Sequence, residues 1–133
     1  MGKILRVGPT ATPPIIDGIL HDRCWQTATM ASGFVTNYGE WPRAQTTGYL
    51  TYDDTAIYIA FRCNTTAASA VISKTTANDD EGIFGDSSVE VFLDTNHDRT
   101  AYYQFVVNSI GTHYEGYIKP DDGIREAQWN PQW

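Results

Sequence analysis

Several runs of this chain alternate residue by residue, which is the two-residue period of a strand with one face buried. From Ala56 to Asn64, Ile57, Ile59, Phe61 and Cys63 share one side, and Tyr58, Ala60 and Arg62 share the other. From Ser88 to Asp94, Val89, Val91 and Leu93 oppose Glu90, Phe92 and Asp94. From Tyr102 to Asn108, Tyr103, Phe105 and Val107 oppose Tyr102, Gln104, Val106 and Asn108. Thr46 to Tyr52 and Thr112 to Lys119 complete two hairpins, across Asp53-Asp54-Thr55 and Ser109-Ile110-Gly111. Shorter strands are expected at Lys3 to Val7, Ile15 to Gly18, Phe34 to Tyr38 and around Val71-Ile72. Only Asp22 to Ala28 reads as a helix, one or two turns long with Asp22 as its N-cap. Roughly six to nine short strands without helical periodicity predict an all-β chain. The expected architecture is a single antiparallel two-sheet β-sandwich over residues 1–133.

Charge narrows the partners. The chain has 16 acidic and 9 basic residues, a net charge of −7, so nucleic-acid phosphates and anionic membrane surfaces are excluded as default partners. No apolar run approaches the length of a transmembrane helix, and Met1 to Arg6 lacks the apolar core of a signal peptide. Cys24 and Cys63 are too few for a disulfide framework and lack zinc-site spacing. Cys63, ending a strand, is expected as a buried thiol, with pairing to Cys24 open only if the fold joins them.

No Ser-His-Asp order, nucleophile elbow or His-x-x-x-His spacing marks an enzyme. What the pattern offers is a binding surface. Arg62, Glu90, Gln104 and Asn108 lie on alternating positions that form one polar face if their strands are neighbours, with Tyr58, Phe92 and Tyr102 beside them. Planar polar groups beside flat rings suit sugar hydroxyls and pyranose C–H faces. The same face also reads as the solvated outside of a sheet. Trp41 lies in a loop, where it can stack on a sugar or pack over a sheet end, and Trp25 reads as a core residue. Asp94, Asn96 and Asp98 alternate as calcium ligands do, with Asp86 in a second acidic cluster; a polar turn is the competing reading.

These segments carry a resemblance. Ile16-Asp17-Gly18-Ile19-Leu20 with Trp25 and Ala28 comes first, and Tyr52 to Phe61 second. Phe84-Gly85-Asp86-Ser87-Ser88-Val89-Glu90-Val91-Phe92-Leu93-Asp94 is the third, and Tyr103 to Asn108 with Gly111 the fourth. In this order they resemble the family-9 carbohydrate-binding modules and their DOMON-like relatives. The resemblance implies a jelly-roll-like β-sandwich that binds an oligosaccharide or polysaccharide without catalysis, in an extracellular or periplasmic setting, often with structural calcium. It implies that Phe84, where Trp is usual, stacks on the sugar, and that Glu90 and Asn108 match binding positions. Val106 stands where some binders have Arg. Family modules usually continue for further strands beyond the position of Trp133. The reading therefore expects an uncovered edge, resolved by a homo-oligomer or strand-swapped dimer, by a C-terminal segment folded back, or by a partner's strands. The alternative function is a structural or protein-interaction domain of the same fold with no sugar site.

Overall fold

The structure is a computed structural model and describes residues 4–126 and 129–133. It has two compact units, Met1–Thr66 and Ala67–Trp133. Each holds one antiparallel sheet, so the all-β, two-sheet class expected of a β-sandwich is the class observed.

In the first unit, helix α1 (Arg23–Thr27) precedes strands β1 (Thr29–Ala31), β2 (Thr46–Tyr52) and β3 (Ile57–Cys63), in sheet order β1-β2-β3. The β2–β3 hairpin is closed by Asp53. Its carboxylate accepts from the Thr55 amide at 2.8 Å and hydroxyl at 2.7 Å, the Ala56 amide at 2.9 Å and the Tyr58 hydroxyl at 2.8 Å. The Thr55 hydroxyl leads the donors that hold this carboxyl down at about 2. Helix α1 packs on β2 and buries Cys24 and Trp25, as expected of Trp25. Asp22 occupies the N-cap position, but its side chain makes no capping bond.

Several short strands are absent. Phe34 to Tyr38 forms a loop closed by the Thr36 amide on the Glu40 carbonyl, with Gly39 at φ +80°. A chain turning back over so few residues has no strand to pair with. Ile4 to Val7 and Ile15 to Gly18 form no strand, and Lys3 lies outside the described residues. Pro9, Pro13 and Pro14 remove the N–H groups a ladder needs. What remains is one parallel bridge, Pro9 to Tyr52, supported by the Thr10 amide on the Tyr52 carbonyl at 2.7 Å. Cys63 is exposed rather than buried, because it is the last residue of β3, beyond the packed middle of the sheet.

In the second unit, β4 (Ser88–Leu93), β5 (Tyr102–Asn108), β6 (His113–Lys119) and β7 (Ile124–Glu126) lie in sequence order. Val89, Val91 and Leu93 pair with Val107, Phe105 and Tyr103 on one face, as the alternation predicts. Val107, Phe105 and Tyr103 in turn oppose His113, Glu115 and Tyr117. The C-terminal tryptophans fold back onto this face. Trp129 sits 4.6 Å from Tyr103, and Trp133 5.1 Å from Phe105 and 5.2 Å from His113, between ring centroids. The Trp133 indole N–H donates to the fully buried Glu115 carboxylate at 2.8 Å.

The opposite face departs from its expected solvated character. Val106 and Tyr114, direct partners across β5 and β6, are fully buried with Ile83 as the core cluster of this unit. The reason is the segment before β4. Its 3₁₀ turn, Glu81–Gly85, lies against β5 and β6 and brings Ile83 onto Val106 and Tyr114. A face drawn as polar from the alternation alone is thus half core.

Candidate functional site

The site begins with the loop that covers Val106 and Tyr114. Asp80 caps the 3₁₀ turn by accepting from the Gly82 amide at 2.8 Å. Residues 72 and 87 join across the loop, the Ser87 amide on the Ile72 carbonyl at 2.7 Å and the Ile72 amide on the Ser87 hydroxyl at 3.0 Å. Asp79 and Asn78 tie the same loop to the start of β6 through the carbonyl and amide of His113. So held, the loop presents the Phe84 ring edge-on to Tyr114, 5.1 Å between centroids at 68°. The ring keeps 41% of its surface in solvent.

Across the sheet from Tyr114 come Val106 and then Glu90 in one row of register. Glu90 is exposed, and its carboxylate accepts from the Gln104 amide at 2.8 Å. Phe84, Glu90 and Gln104 therefore belong to one face of one sheet: a ring, an exposed carboxylate, and a carboxamide that fixes the carboxylate's direction. A carboxylate can accept two hydrogen bonds from vicinal hydroxyls, and a phenyl face can stack on pyranose C–H groups.

Asn108 lies on this face but is spent on the fold. It is 4% exposed. Its amide donates to the Thr75 carbonyl at 2.9 Å and the Asp86 carboxylate at 3.0 Å. Its carbonyl accepts from the Thr112 amide at 2.9 Å and the Ile110 amide at 3.2 Å. Both donor positions are filled, and so are the acceptor's two lone pairs. Asp86 is the other half of this joint. The amides of Lys74 and Thr75 and the Asn108 side chain hold its carboxyl at about 2, against the opposing pull of partial desolvation.

Arg62 does not join the face. Its strand β3 pairs with β2 in the first unit, where Arg62 opposes Thr47. Neighbouring strands, the condition for a shared polar face, hold for Glu90, Gln104 and Asn108 and fail for Arg62 and Tyr58. Trp41 also lies in the first unit, in a loop, 70% exposed.

The acidic loop between β4 and β5 is built as a turn. Asp94 accepts from the amides of Asp98 at 3.3 Å and Arg99 at 2.9 Å, with His97 and Arg99 at positive φ. Asp98 accepts from the Thr100 hydroxyl at 2.7 Å and amide at 2.9 Å, and the hydroxyl is the chief cause of its lowered pKa. No group of three or more His, Cys, Asp or Glu positioned for a metal occurs among the described residues. Asp94 and Asp98 accept from N–H and O–H groups of their own turn, and Asp86 accepts from the amides of Lys74 and Thr75 and from the Asn108 side chain.

One residue beneath the site, Tyr114, was not singled out in the sequence. Tyr114 supplies the edge on which Phe84 rests, and only its place opposite Val106 reveals that. Phe92, which the sequence placed beside the polar face with Tyr58 and Tyr102, lies opposite Gln104 and is 55% exposed.

A protein-family model described as carbohydrate family 9 binding domain-like matches residues 16–119. No curated protein and no solved structure matches the chain.

Proposed function

The chain belongs to the carbohydrate family 9 binding domain-like family, and on that premise we propose that it holds a sugar through Phe84 and Glu90, with the buried Gln104 orienting the Glu90 carboxylate, without chemically changing it. Domains of this family are generally non-catalytic binding modules. The observation that carries the reading is the half-open Phe84 ring on the same sheet face as an exposed carboxylate that Gln104 orients. A pyranose resting on the ring would offer its hydroxyls to Glu90, whose remaining lone pairs accept them. Asn108 and Asp86 shape the loop that presents Phe84 and do not touch the ligand. The setting that fits such a module is extracellular, where family members typically act.

Calorimetry against a panel of monosaccharides and linear oligosaccharides tests this. Saturable binding is expected, weakened about tenfold or more by Phe84→Ala and by Glu90→Ala. An absence of saturable heat across the panel overturns it in favour of a protein-interaction domain of the same fold.

A further inference from the structure

Each sheet ends in strands that hydrogen-bond on one side only, and such an edge is a template for another strand. β1 and β7 are three residues each and offer little to pair with. β3 is different. Its seven residues, Ile57–Cys63, run in unbroken register with β2, and among the described residues no strand pairs with its other side. It holds no proline, no glycine and no bulge, and its one charge is Arg62, near its end. Apart from Arg62 it has none of the features that blunt an exposed edge.

The ladder fixes which groups that edge presents. The Asp53 amide donates to the Ala56 carbonyl at 3.0 Å and the Asn64 amide to the Gln45 carbonyl at 3.1 Å, so Ala56 and Asn64 turn inward to β2. Alternation then turns the backbone groups of Tyr58, Ala60 and Arg62 inward and those of Ile57, Ile59, Phe61 and Cys63 outward. An antiparallel copy of β3 bonds to these groups only where outward residues oppose outward residues. Full overlap meets that condition, with a two-fold axis at Ala60. Ile57 then opposes the partner's Cys63, and Ile59 the partner's Phe61, each as a hydrogen-bonded pair. Between them fall the closer, non-hydrogen-bonded pairs, about 4.5 Å between Cα atoms. On the axis Ala60 faces the partner's Ala60, where two methyl groups let the strands close. Tyr58 faces the partner's Arg62. The Tyr58 hydroxyl donates to the Asp53 carboxylate at 2.8 Å, so the incoming guanidinium meets a ring with a negative charge at its tip. β4 fails the same condition. Across its six residues full overlap sets outward groups against inward ones, and pairing about Glu90 sets that carboxylate against its own copy.

We propose that the chain forms a two-fold dimer through β3, each β3 pairing antiparallel with its copy about Ala60 and joining the two β1-β2-β3 sheets into one. The partner is a second copy of this chain because the strand supplies both halves of the charged pair: the ring and carboxylate at one end, the guanidinium at the other. The dimer stands apart from the sugar reading, whose residues lie on the sheet of the second unit.

Sedimentation equilibrium of the intact chain, at on the order of 100 µM, should give twice the monomer mass of 14.8 kDa. Ala60→Lys sets two like charges on the axis, and Arg62→Glu sets a carboxylate against the partner's Asp53. Each should weaken the dimer about tenfold or more, with an unchanged circular dichroism spectrum. Arg62 is exposed, so its variant reads the interface even where a lysine at position 60 disturbs the sheet. Ile57→Cys reads the register. It faces the partner's Cys63 at about 5.5 Å between Cα atoms, within disulfide range, while Cys63 of its own chain is about 20 Å away along β3. Oxidation with diamide should therefore give a covalent dimer on a non-reducing gel, and Ile57→Cys combined with Cys63→Ser should not. A monomer at that concentration overturns the proposal. So does a dimer that Arg62→Glu leaves unchanged, or one that Ile57→Cys fails to cross-link, since either places the contact elsewhere.

Discussion

Replacing Asn108 by alanine separates a ligand contact from a structural joint. Four hydrogen bonds, of 2.9 to 3.2 Å, end on this one side chain. Two of the partners keep an alternative. The Thr75 carbonyl still accepts from the Thr112 hydroxyl at 2.9 Å, and Asp86 still accepts from the amides of Lys74 and Thr75. The buried Thr112 amide loses its acceptor, and its desolvation is left uncompensated. Each net hydrogen bond contributes about 1 kcal/mol and an orphaned buried donor costs about 1–3 kcal/mol. With partial rescue of two bonds, Asn108→Ala should cost roughly 3 kcal/mol. That corresponds to a melting temperature lower by on the order of 10 °C for a chain of this size. Asn108→Asp keeps the acceptor but sets a second carboxylate against Asp86, so it should destabilise strongly at neutral pH and recover in part as acid neutralises the pair. Urea unfolding followed by tryptophan fluorescence measures both. If Asn108→Ala changes stability by less than about 0.5 kcal/mol yet abolishes sugar binding, the side chain is a ligand contact and the account of it as a joint is wrong.

Trp133→Phe keeps a ring against Phe105 and His113 but removes the indole donor from buried Glu115, whose other oxygen has no partner among the described residues and whose bonded oxygen keeps only His113 Nδ1 at 3.1 Å; a loss of about 1–2 kcal/mol in urea unfolding is expected. No loss would mean that the terminal tryptophan does not hold that carboxylate. Asp53 and Asp86 have carboxyls held near 2, below the ordinary value of about 4, so the stability they contribute is complete above pH 4 and is lost as pH falls through 2. Acid titration of the melting temperature should therefore show its steep fall in that window, shallower in Asp86→Asn; a fall complete by pH 4 contradicts it. Cys63 is exposed and Cys24 is buried, with burial raising its thiol pKa, so one thiol should react with a disulfide reagent in the native protein and the second only on unfolding. Two fast thiols would contradict the burial of α1. A chelator should leave the melting temperature unchanged if Asp94, Asp98 and Asp86 serve as turn caps; a drop on chelation reversed by calcium would show that they bind it.

The period of two along the chain was enough to fix the class of fold, the main strands and both hairpins, because strand alternation and turn chemistry are local properties of sequence. Asp53 closing its turn and Trp25 entering the core follow from the same local rules. Phe84, Glu90 and Gln104 were also within reach, since they lie on one short stretch and its hairpin partner. What the sequence left open was which strands become neighbours and what covers each face. Arg62 and Glu90 alternate alike, yet strand pairing assigns them to different sheets. Asn108 and Gln104 alternate alike and are both buried, yet a loop from earlier in the chain bonds Asn108 while Gln104 reaches the exposed Glu90. The terminal tryptophans gave no hint of whether they would be free or packed until Glu115 and Phe105 were placed beneath them. These are contacts between residues distant in the chain, and their energies depend on shape and desolvation at the point of meeting, which no single segment encodes.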